Sequence, residues 1–93
     1  MSITQYHISE NFYIVLDESD NTVGLGFPHK MSADLVIMVI KDFISNGMFS
    51  RPKTRTCDML LHGKFMRVHK FSFTDKEAVR KYIEERYKTE PAK

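Results

Sequence analysis

The tightest constraint on the fold is the connection between two β-prone runs near the N-terminus. Residues 12–16 read Phe-Tyr-Ile-Val-Leu, an apolar run bounded by polar residues, as a strand requires. Residues 17–21 read Asp-Glu-Ser-Asp-Asn, short polar side chains that bond their own backbone and so build turns. In residues 22–27, Val23, Leu25 and Phe27 alternate with Thr22, Gly24 and Gly26, the period of two that a strand imposes. So short a connection joins strands antiparallel, because parallel neighbours need a crossover of about a dozen residues or more. The expected hairpin ends at Pro28, which has no N–H to give a ladder. Gly24 and Gly26 share one of its faces, marking a crowded or closely approached sheet surface.

The next segment changes period. Ser32 is the expected N-cap and Asp34 sits in the first turn, where the helix dipole favours negative charge. Residues 35–40 are apolar throughout, and positions 36, 39, 40 and 43 keep the helical spacing. Asn46-Gly47 supplies the stop. Apolar residues on nearly every side predict a deeply buried helix lying across a sheet.

Residues 56–61 and 64–73 predict two more strands, joined by His62-Gly63 as a two-residue turn. Thr74 and Glu77 have capping-box spacing. Val79, Tyr82, Ile83, Arg86 and Tyr87 then mark one face of a second helix, and residues 89–93 read as a frayed tail. The expected order is ββαββα: a single small α+β domain over residues 1–93, with a four-stranded, mainly antiparallel sheet and two helices on one face. Its predicted core packs Leu35, Val36, Val39, Ile40, Phe43, Val79 and Ile83 against Ile14, Leu16, Val23, Leu25, Met59 and Leu61. Cys57 alternates with Met59 and Leu61 and is expected as a small core residue.

Several function classes fall away on composition. No apolar run approaches the ~18 residues of a membrane span, and the N-terminus lacks the basic and apolar regions of a signal peptide. A single cysteine among 93 residues allows no intrachain disulfide, which points to a reducing, cytoplasmic setting. His7, His29, His62 and His69 show no zinc spacing with one another or with Cys57. No nucleophile, acid and base are concentrated together. The expectation is a binding protein with no catalytic residues, no metal and no cofactor.

Charge then points to a surface. Residues 51–71 carry six Lys/Arg against Asp58, net +5, whereas residues 1–50 carry two Lys/Arg against six acids, net −4. Phe65 and Phe71 sit among the basic residues. If Met66 and Val68 face the helices, then Phe65, Arg67, His69 and Phe71 line the open sheet face, an arrangement that stacks unpaired bases. The expected site is Arg51, Lys53, Arg55, Lys64, Arg67 and Lys70 on phosphates, with Phe65, His69 and Phe71 on bases. RNA or single strands are preferred to duplex DNA, because the second helix balances its Arg and Lys with Glu.

Two other readings stand beside it. Phe65, Phe71 and Phe73 can instead be core, with Lys64 and Lys70 solvated. The basic and aromatic face can also dock an acidic protein surface, since Arg and Phe are enriched at interfaces. That alternative makes the chain a regulator, inhibitor or antitoxin-type adaptor, on the scale of phage-encoded regulators, with a homodimer as its simplest form.

A mobility-shift series against salt separates these readings. About four neutralised phosphates predict a log–log salt slope near −3 for single strands, and a combined Arg55→Glu, Arg67→Glu change is expected to abolish the shift. No shift at low salt with RNA, single-stranded or duplex DNA leaves the protein partner in front.

Overall fold

The hairpin anticipated at residues 12–27 forms the middle of a larger sheet. The computed structural model describes residues 3–49 and 55–87, so the tail expected at residues 89–93 lies outside the described residues. In chain order the elements are β1 (Ile3–Ser9), β2 (Phe12–Asp17), β3 (Thr22–Pro28), α1 (Ala33–Ser45), β4 (Arg55–Leu61), β5 (Lys64–Ser72) and α2 (Lys76–Tyr87). The sheet has five antiparallel strands in the order β1-β2-β3-β5-β4. The expectation of four strands and a ββαββα order is therefore corrected by β1. That strand is short of apolar residues because it is an edge, with only Tyr6 fully buried, and a bulge between His7 and Ser9 breaks its alternation. Among the described residues, no helix is long and apolar enough to cross a membrane.

Both sheet faces are apolar. On one, Tyr6, Ile14, Leu16, Val23, Leu25, Phe27, Phe71 and Phe73 pack with Phe43 of α1 and with Val79 and Ile83 of α2. On the other, Tyr13, Val15, Leu61, Met66 and Val68 form a second buried cluster. The mixed pattern of residues 64–73 is thereby explained: β5 buries Phe71 towards the helices and Met66 and Val68 away from them.

Among the described residues no helix covers the second cluster, and the sheet covers it by curling over itself. Leu61 on β4 reaches across β5 to β3, where a Cβ on Gly26 would lie 3.1 Å from its Cδ1. A Cβ on Gly24 would lie 2.5 Å from Val68 Cγ1, closer than real side chains approach. Three rings close the curl. His7 of β1 stacks on Tyr13 at 4.6 Å, and His62 of the β4–β5 turn lies 5.1 Å from His7 and 5.3 Å from Tyr13. His62 and Gly63 both have positive φ, 49° and 75°, the backbone of a tight hairpin turn.

The helices differ from expectation in detail. Only Phe43 of α1 is fully buried, while Val36, Val39 and Ile40 are partly buried. Leu35 is 47% exposed, Ile37 47% and Met38 60%. The deeply buried helix with Leu35 in its core is thus corrected: α1 lies on the sheet's surface, and among the described residues nothing covers its outer side. Ser32 occupies the N-cap without a side-chain bond. At α2 the cap is Asp75 rather than Thr74, its Oδ1 accepting the Ala78 N–H at 3.1 Å. Cys57, expected in the core, is exposed because β4 is the outer strand and only its Leu61 end is buried.

Polar contacts fix the helices to the sheet and to each other. The buried Tyr6 donates its hydroxyl to Glu84 Oε2 at 3.1 Å, and burial together with that carboxylate pushes its pKa up to about 12. Glu18 in the β2–β3 turn holds Lys76 at 2.7 Å and Arg80 at 3.2 Å. Asp42 of α1 accepts the Tyr82 hydroxyl and lies 3.4 Å from Arg86 Nε.

Two expectations test this fold. Gly24→Ala places a methyl against Val68, and overpacking of this kind costs about 1–3 kcal/mol. Urea unfolding should show that Val68→Ala in the same chain recovers part of the loss; strict additivity would mean that the close approach is absent. The second concerns acid. Asp17 Oδ1 accepts the Ser19 hydroxyl at 2.7 Å, and this bond holds its carboxyl below the ordinary 3.8. A carboxyl with a depressed folded pKa adds stability that is complete above about pH 4 and lost as pH falls through the folded value. Asp17→Asn should therefore flatten the decline of the urea midpoint below pH 4; an unchanged decline would show that other groups carry it.

Candidate binding surface

The residues expected to contact nucleic acid are divided by the fold. Arg51 and Lys53 lie outside the described residues. Register places Lys64, Lys70 and Arg55 on the same side of β4–β5 as Met66 and Val68, and Phe65, Arg67, His69 and Phe71 on the helix side. The expected open face carrying Phe65, Arg67, His69 and Phe71 is therefore corrected. Phe71 is 1% exposed and stacks on Phe49 at 4.1 Å, so its ring is core and not available to a base. The physical reason is that β5 is an interior strand with apolar packing on both sides. Phe65, at the far end of the same strand, is 68% exposed.

Folding also brings the acidic and basic parts of the chain together. Asp20, in the β2–β3 turn, lies 3.3 Å from Arg55 and 3.7 Å from Lys70. Asp58 lies 3.4 Å from His29 and 3.9 Å from Arg67. Pairs this exposed stabilise by only ~0–1 kcal/mol each, but each carboxylate reduces the positive potential of the hairpin locally. The excess charge of residues 51–71 is thus partly opposed in the folded chain.

What the structure adds is a pocket of about 280 Å³ between α1 and the sheet. Ala33, Val36, Ile37 and Ile40 form its helical wall, and Phe27, Pro28 and Met31 complete the apolar lining. Arg67, His29 and His69 supply the polar lining. Burial, then the neighbouring Arg67, lowers the pKa of His69 below its usual 6.5, so at neutral pH its ring is uncharged. Past Arg67, Leu60 and Phe65 form an exposed cross-strand pair, at 60% and 68% exposure. Sequence reasoning missed Ala33, Ile37, His29 and Leu60 as surface candidates. The available signal was the excess of apolar residues around α1, more than one buried face can use.

Cys57 pairs with Val68 and Thr56 with His69, so Cys57 and His69 belong to opposite sheet faces and do not form a nucleophile–base pair. Among the described residues, no group of three or more His, Cys, Asp or Glu is placed to hold a metal ion. The surface offers apolar contact, a guanidinium and two imidazoles.

Comparison with family models, curated proteins and solved structures gave no match.

Proposed function

We propose that the chain is a non-catalytic regulator or inhibitor that docks a protein partner through the α1 pocket and the adjoining Leu60–Phe65 pair. The observation that carries this reading is a set of large apolar side chains left exposed: Ile37 in the pocket wall, and Leu60 and Phe65 on the same face of β4–β5 as the pocket's Arg67. Contiguous exposed apolar surface marks interaction sites, and complete burial of a side chain such as Phe65 or Leu60 contributes ~1.5–3 kcal/mol. The exposed single cysteine suits a reducing, cytoplasmic setting.

RNA or single-stranded nucleic acid remains the second reading. One observation favours it: Phe65 is an open ring close to Arg67 on the same strand face. Asp20 and Asp58 weigh against it, since they lower the positive potential around Arg55, Lys70 and Arg67 that would hold a polyanion.

Affinity capture with and without nuclease decides between the two. The expected result is a partner that survives nuclease and is lost with Leu60→Asp, Phe65→Asp, while circular dichroism and Tm stay unchanged because both side chains are exposed. Capture that disappears with nuclease would transfer the site to nucleic acid.

A further inference from the structure

The pocket beside α1 has a more particular chemistry than the apolar surface around it. Its walls are apolar, and among the described residues its polar lining consists of Arg67, His29 and His69, without a carboxylate. The neighbouring acid is Asp58, which His29 and Arg67 share at 3.4 and 3.9 Å. The three side chains are about half exposed, at 44% for His29 and 53% for both Arg67 and Asp58. Contacts so long and so solvated exchange readily with a better placed anion. A volume of about 280 Å³ lies just under the ~300–1,000 Å³ of sites that enclose whole ligands, which suits one inserted side chain.

Resting on the protein-partner reading above, we propose that the occupant is an acidic segment of the partner, which inserts one aliphatic or aromatic side chain into the pocket and sets an adjacent carboxylate on Arg67. Charge complementarity carries the choice. A guanidinium binds a carboxylate through two parallel N–H bonds, and a basic segment would place its cations against Arg67. An incoming carboxylate replaces Asp58 on Arg67. Leu60 and Phe65 extend the apolar surface beyond Arg67 for the flanking residues of the segment. Asp58 thus acts as a competitor held within the chain, and its removal strengthens binding.

The test is selection from a random-peptide display library on the full chain, followed by fluorescence anisotropy of the enriched peptides. The expected peptides carry a large apolar residue next to Asp or Glu. Arg67→Gln is expected to weaken them about tenfold, the usual loss for one charge-assisted bond. Asp58→Asn should tighten them, and Ala33→Phe, which fills the pocket, should abolish binding. Ile37→Asp, at a half-exposed wall position, serves the same purpose if Ala33→Phe disturbs the helix start.

Enriched peptides rich in Lys or Arg overturn the proposal, as do peptides indifferent to both Arg67→Gln and the pocket variants. If such peptides instead require Leu60 and Phe65, the protein-partner reading stands and only the pocket assignment falls. Failure to enrich any peptide also overturns it. So does self-association in sedimentation that Ala33→Phe abolishes, which would make the occupant a second copy of the chain.

Discussion

The close approach of the β4–β5 hairpin to Gly24 and Gly26 is the contact on which the rest of the structure depends. Leu61 and Val68 occupy the space where side chains on β3 would otherwise stand. Among the described residues both helices lie on one face, and a flat sheet would leave Tyr13, Val15, Met66 and Val68 in water. Curling buries them against Leu61 and one another. The His7, Tyr13 and His62 rings then join the β4–β5 turn to the opposite edge strand.

The same topology leaves the candidate surface bare. β4 is the outermost strand beyond β5, and its helix-side residues Thr56, Asp58 and Leu60 are all exposed. Phe65, opposite Leu60, is left uncovered with them. The helices are committed elsewhere: Val79 and Ile83 of α2 are buried in the core around Tyr6 and Leu16, and Tyr82 and Arg86 bind Asp42 of α1. The pocket opens between α1 and the sheet where this cover ends.

Electrostatics follows the topology and not the order of residues. The acidic turn at Asp20 comes early in the chain, yet β3 pairs with β5 and β5 with β4, which delivers Asp20 to Arg55 and Lys70. A charge map along the sequence therefore overstates the positive field at the folded surface. Arg67 shows the same effect, with Asp58 on the paired strand as its partner.

Local chemistry alone determined the α+β class, the hairpins at β2–β3 and β4–β5, both helices and the crowding at Gly24 and Gly26. These depend on turn residues, on alternation and on helical spacing, which act over a few positions. Strand β1 was not legible, because an edge strand with one buried side chain, Tyr6, has almost no alternation to read. Only the tertiary structure decided which side of β5 is covered, since apolar residues on both faces fit either choice until the curl supplies a second core. It also decided that Phe71 is core and Phe65 is surface, although both stand at basic, alternating positions. Burial of a strand residue is set by what lies above it, and that depends on where strands and helices distant in sequence come to rest.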